Sequence, residues 1–252
     1  MIVGAAIVPS APLLVPGVSA ALPAGVDKVY DAVEAAVASL PAADTAVLVA
    51  TGGPAVDGDP GWGVYDTAEA SLAGIGRPDI ARHCEVSRDA AARITSAVQY
   101  PMYRGDVLPL GLTVLALLGA GDRAVVPLAV PRTASFESLV AVGAGVARAL
   151  VDSSERAVVI AAGDLSAGLT ERSPLYRIDG AREWDEQVVS VVDSGRLDGL
   201  ARFGPEEARR VGALGWAPMS LLHGALAAAK LGLVVRHYSA PRGVGYLVAH
   251  GG

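Results

Sequence analysis

Residues 158–166 read VVIAAGDLS, an apolar run that empties directly into Gly163-Asp164-Leu165-Ser166. An acid and a hydroxyl delivered together at the end of a buried strand are groups that proton transfer and nucleophilic attack both use. Asp164 can act there as a base, or it can cap the turn through the Leu165 or Ser166 amides. Capping is the stronger expectation, because an Asp-Leu-Ser turn needs such an acceptor whatever the activity. Ser10 and Ser166 are candidate nucleophiles, but neither sits in a Gly-x-Ser-x-Gly elbow and neither has a histidine adjacent in sequence. Of the four histidines, His83 lies in a polar segment and is expected to face solvent. His223 lies on an apolar helix as a satisfied core residue. His250, next to the C-terminus, is expected to fray. His237, just before the closing turn, is the best placed for chemistry, though alone it makes a weak metal site. Cys84 stands in a polar stretch and reads as incidental. Asp57 and Asp59 alternate as calcium ligands do, but no third ligand follows at the required spacing, so they read as loop solubility.

The elements that must position these groups are set by apolar runs. Strands are expected at residues 2–8, 46–50, 124–130, 157–162, 233–238 and 245–249. Helices are expected at 26–40, 89–98, 108–118, 136–152, 183–193, 205–211 and 219–231, and a Gly/Asp loop at 57–63. Continuous apolar strands separated by helices imply an α/β fold: an α/β/α sandwich around a mostly parallel, mixed sheet. The last two strands are too close for a crossover and imply a C-terminal β-hairpin. No repeat, linker or compositional break divides the chain, so one domain over residues 1–252 is expected. Ligands of open α/β sheets sit beyond the carboxyl ends of the strands. That brings forward the loops at 9–12, 51–59 and 163–168, with the turn around Ser239 and Arg242.

Composition narrows the class. The chain has 252 residues, 52% of them hydrophobic, with a net charge of −6 and one cysteine. No disulfide framework is possible, and no basic face is available for nucleic acid. The uncharged first 26 residues carry four prolines and no basic start, unlike a signal peptide. A cytoplasmic protein with no membrane partner is the expectation. Only Lys28 and Lys230 are lysines, which with the abundant alanine suggests a GC-rich genome.

Taken together, these stretches resemble the LigB-like superfamily, which holds the class III extradiol ring-cleavage dioxygenases and the MEMO-like proteins. The resemblance is carried by IVPSAPLLVPG (7–17), AVLVATGGPAVDGD (46–59) and VVIAAGDLSAGLTERSPLY (158–176) followed by an acidic helix with Asp185. GALGWAPMSLLHGAL (212–226) and HYSAPRGVGYLVA (237–249) close it. It implies the LigB-like fold and an Fe(II) held by two histidines and a carboxylate, with further histidines for acid–base work. Carried over, the expected functional positions fall on Ser10, Gly52, Arg104, Ala167 and Ser239. None of these offers an imidazole or a carboxylate, so the expectation is a degenerate member with no metal and no cofactor.

A pocket formed by Ser10, Gly52, Gly53, Arg104, Asp164, Ser166, Ala167, His237 and Ser239 would offer hydroxyls, bare amides and one fixed cation. Such a site suits a small carboxylate or phosphate. The first expectation is therefore a binding protein or pseudoenzyme for an anionic ligand. Arg104 could instead fill the vacated metal hole by pairing with Asp106 or Asp164. The alternatives are a metal-independent hydrolase using Ser10 or Ser166, with His237 approaching in space, and a non-catalytic homo-oligomer or partner subunit. The last would dock through the alanine-rich helices at 136–152 and 221–231, which could equally be the layers that cover the sheet. An active ring-cleavage dioxygenase is the least expected reading.

Overall fold

A computed structural model describes residues 1–52, 55–56, 59–151 and 155–252. In chain order it contains β1 (Ile2–Val8), α1 (Val26–Ala38), β2 (Thr45–Thr51), β3 (Ala55–Val56), β4 (Asp59–Pro60), β5 (Trp62–Tyr65), β6 (Glu69–Leu72) and β7 (Arg77–His83). These are followed by α2 (Arg88–Ala97), β8 (Met102–Gly105), α3 (Leu110–Gly119), β9 (Ala124–Val130), α4 (Phe136–Val151) and β10 (Ala157–Ala162). The chain closes with α5 (Ala181–Asp193), α6 (Gly204–Val211), α7 (Trp216–Ala229), β11 (Val234–Ser239) and β12 (Tyr246–Gly251).

The central sheet is eight-stranded, in the order β11-β12-β1-β10-β2-β9-β5-β8. Its middle, β1-β10-β2-β9, is wholly parallel. The hairpin β11–β12 joins it antiparallel on one side and β5 antiparallel on the other, so the sheet is mixed. The four middle strands are apolar throughout because both of their faces are covered. Ala6, Val8, Leu48, Ala50, Val158 and Ile160 pack with Val29 of α1 and Leu112 and Leu115 of α3. The alternate set, Ile7, Val47, Val49, Val159 and Ala161, packs with Val142 of α4 and Leu222 of α7. These two layers enclose the sheet as an α/β/α sandwich. Pro127 fits in β9 because its outer neighbours leave a gap there: β5 pairs at Leu128 and Ala129, and Val86 bridges Val125.

Several expectations need correction. The stretch 57–63 is not all loop, since β4 and the start of β5 lie within it; Asp57 lies outside the described residues. The strands β5 to β8 carry no long apolar run and give a weak sequence signal. The last long helix starts at Trp216 rather than at residue 219, because Pro218 sits in the first turn, where proline is tolerated. His250 does not fray. It lies in β12 between β1 and β11, and its Nε2 accepts from Arg236 Nε at 2.8 Å. No helix among the described residues is long and apolar enough to cross a membrane.

Helices α4 and α7 pack against each other through glycines. A methyl on Gly143 would lie 1.9 Å from the Leu221 carbonyl oxygen, and one on Gly224 would lie 2.1 Å from that of Val140. Both are backbone collisions that no side-chain rotation relieves. Gly143→Ala is therefore expected to lower stability by about 1–3 kcal/mol, as overpacking does. The check is the urea midpoint, and an unchanged value would contradict this packing.

Candidate functional site

The parallel strands β1, β10 and β2 lie side by side, so the segments leaving them converge at one end of the sheet. The N-terminal end of β12 arrives there too, because β12 runs antiparallel to β1. The exit of β10 is stapled in place by main-chain bonds. Gly163 N–H donates to the Val8 carbonyl, Leu247 N–H to Gly163, Leu165 N–H to Gly245, and Gly245 N–H to Ser166. This ladder leaves the Asp164 carboxyl buried and aimed across at β1. Its Oδ2 accepts the Ser10 backbone N–H at 2.8 Å and the Ser10 Oγ–H at 2.5 Å.

Asp164 therefore does not cap its own turn as expected. The Leu165 amide is satisfied by Gly245, the Ser166 amide by Asp185, and the Asp164 carboxyl ties together strands 154 residues apart in sequence. Burial holds this carboxyl above the usual carboxylate range, although the Ser10 hydrogen bonds oppose the shift. Burial, and then the neighbouring Asp164, push the Tyr246 hydroxyl up to about 12.

A second buried carboxylate lies behind the first. Asp185 of α5 accepts the Ser166 N–H at 2.9 Å and the Tyr238 O–H at 2.7 Å. Burial raises its pKa, and both donors work against that rise. Gly245 passes so close that a methyl there would lie 2.1 Å from Asp185 Oδ2. Asp185 was legible only as part of an acidic helix. The missed signal is its register: Ala181, Trp184, Asp185, Val188 and Val192 form the buried stripe of α5, so an acid stands where the core needs an apolar residue.

The remaining predicted residues separate into near and far. Gly52, at φ +112°, lies beside Pro109 at the start of α3. Gly111 in the first turn of α3 faces Ser10, whose Oγ would stand 3.5 Å from a methyl there. Gly53 lies outside the described residues. Ser166 is fully buried, and its hydroxyl points at the Ala181 carbonyl at 3.5 Å, with no imidazole near it. Ala167 is clamped by its backbone, donating to Val211 and accepting from Leu175.

His237 and Ser239 share β11, with His237 Nε2 2.7 Å from Ser239 Oγ. Arg104 does not join this end of the sheet. It lies on the outermost strand β8, with β10, β2, β9 and β5 between it and β1, and it is ion-paired with Asp66. The partner is therefore neither Asp106 nor Asp164, because β8 carries the guanidinium to the edge of the sheet. His83 is exposed beside Glu69, and His223 is stacked on Phe136 with ring centroids 5.8 Å apart. Cys84 is a buried free thiol whose pKa burial raises. Among the described residues, no group of three or more His, Cys, Asp or Glu side chains converges as metal ligands would.

The family model described as the catalytic LigB subunit of aromatic ring-opening dioxygenase matches residues 76–249. The chain belongs to the LigB family. The match takes in Asp164, Asp185, His237 and Ser239 and stops short of Ser10 and Gly52. Over its whole length the chain is similar in fold to the crystal structure of an uncharacterized protein, JW3007, from Escherichia coli K12. That likeness has a TM-score of 0.64 and 14% identity, and it covers 99% of each chain. No curated protein matches this LigB-family chain significantly.

Proposed function

We propose that this extradiol-dioxygenase-like protein binds a small anionic ligand where β1, β10 and β2 end, and that it does so without an iron centre. The observation that carries this reading is the state of Asp164. Among the described residues it is the one buried carboxylate hydrogen-bonded to the end of β1, and a single oxygen of it already accepts two hydrogen bonds from Ser10. The two-histidine, one-carboxylate set that the family resemblance implies does not fit these surroundings. The side chains at the ends of β1 and β2 are a hydroxyl, Ser10, and none at all, Gly52. The imidazole singled out from the sequence, His237, lies on β11 and is engaged with Ser239.

Three features favour an anion. The first turn of α3 has no side-chain cap and presents its amides beside Ser10 and Gly52. Arg242 adds positive charge on the side of Tyr246. Burial raises the Asp164 pKa, which lessens the repulsion that its carboxylate would exert on an anion. Anion binding is therefore expected to strengthen as pH falls.

Thermal melting with benzoate, acetate and inorganic phosphate tests this. Stabilisation by at least one of these anions is expected to be larger at pH 5 than at pH 8 and to be weakened in Ser10→Ala. Arg104→Ala is expected to respond like the parent chain, because Arg104 is held by Asp66. No anion-dependent shift at either pH would contradict the reading.

A further inference from the structure

We propose that Ser239 and His237 form a nucleophilic pair that hydrolyses small carboxylic esters, at a site beside the anion site and independent of it. The two residues are two apart on β11, so their side chains leave the strand on the same face. Tyr238 between them leaves on the other face and reaches Asp185. The ladder between β11 and β12 shifts register between Val235 and His237. Such irregularities re-aim side chains and are common beside active sites.

The geometry is that of a nucleophile with its base. His237 Nε2 and Ser239 Oγ are 2.7 Å apart, and both residues are half-buried, so neither is sealed from a substrate. Among the described residues no other serine hydroxyl meets an imidazole: the Ser10 hydroxyl is spent on Asp164, and that of Ser166 is fully buried. Burial first, and then the charge of Lys28, hold the His237 ring below the usual histidine range, so it is neutral and able to accept a proton near pH 7. α1 lies against this strand end, with a methyl on Gly25 falling 3.2 Å from Pro241 Cβ. Its first turn has no side-chain cap, and it carries Lys28. The helix N-terminus and Lys28 bring positive charge to this strand end, with the acidic Asp27 in the same turn.

The steps balance without a co-reactant other than water. Ser239 Oγ bonds to the ester carbonyl carbon while its proton passes to His237 Nε2. The tetrahedral adduct collapses, the ester C–O bond breaks, and His237 returns the proton to the departing alkoxide. A water molecule, deprotonated by His237, then attacks the acyl-serine; the acyl C–O bond to Ser239 breaks, and His237 returns the proton to Ser239 Oγ as the carboxylic acid leaves. No carboxylate is hydrogen-bonded to His237 among the described residues, so small activated esters are the expected substrates.

A fluorophosphonate probe tests the pair on the intact chain, with the adduct located by peptide mass mapping. A single adduct on Ser239 is expected, absent in Ser239→Ala and formed about 100-fold or more slowly in His237→Gln, the lower end of what a general base contributes. Hydrolysis of p-nitrophenyl acetate should fall in parallel, and thermal melting of both variants checks their folding. The proposal is overturned by no adduct on the folded parent chain, by an adduct on another residue, or by equal labelling rates in His237→Gln. Ser10→Ala is expected to label like the parent, so failure here and failure of the anion site are read separately.

Discussion

Asp164→Ala is expected to lower stability by about 3 kcal/mol, because it strands two buried donors at once. The Ser10 N–H and Oγ–H both lose their acceptor, and each unsatisfied buried group costs about 1–3 kcal/mol. Asp164→Asn keeps an oxygen in the accepting position and should lose much less. The pH dependence distinguishes the two carboxyl states. An unfolded aspartate titrates near about 3.9, whereas burial raises the folded Asp164 above that value. Between those two values the native state binds the extra proton, so its contribution to stability is full at low pH and is lost as pH rises through the raised pKa. Asp185 behaves in the same sense. Urea midpoints measured from pH 4 to pH 8 should therefore show Asp164→Asn gaining on the parent chain as pH rises. A difference that stays constant across the range would show that the Asp164 pKa is the same folded and unfolded.

Gly245→Ala carries the second large effect. Its methyl would stand 2.1 Å from Asp185 Oδ2 and 3.0 Å from Leu165 Cβ, at the point where the entry to β12 is bonded to the exit of β10. The carboxylate cannot move away without releasing the Tyr238 O–H or the Ser166 N–H. Overpacking and a lost buried hydrogen bond together are expected to amount to about 3 kcal/mol. Asp185→Ala alone strands the same two donors. Adding it to Gly245→Ala removes the collision, so the double variant should be more stable than the sum of the two single losses predicts. Strict additivity in denaturant melts would show that Gly245 and Asp185 do not share this contact.

The parallel centre of the sheet was legible because β1, β2, β9 and β10 are apolar on both faces, and a strand covered on both sides leaves that mark in sequence. The outer strands were not. Arg77–His83 carries three charged residues and lies largely exposed, while Trp62–Tyr65 and Met102–Gly105 are four residues each. Arg104 was placed at the site by the family resemblance alone, whereas it rides the far edge strand β8. Around the site, Asp164, Ser166 and Ser239 were visible as polar residues at apolar strand ends. Their partners were not, because Ser10–Asp164 and Ser166–Asp185 are long-range contacts fixed by strand order. The spacing of His237 and Ser239, two residues apart, puts them on one face of a strand, but from sequence alone His237 was set against Ser10 or Ser166 instead.

The central claim, that this LigB-family site operates without iron, is tested most directly by metal analysis of the purified chain. The protein would be loaded anaerobically with Fe(II), desalted, and its iron measured against protein, with Asp164→Asn in parallel. Iron well below one per chain, unchanged in the variant, is the predicted result. One iron per chain, lost in Asp164→Asn, would contradict it and place a metal centre at the end of β10.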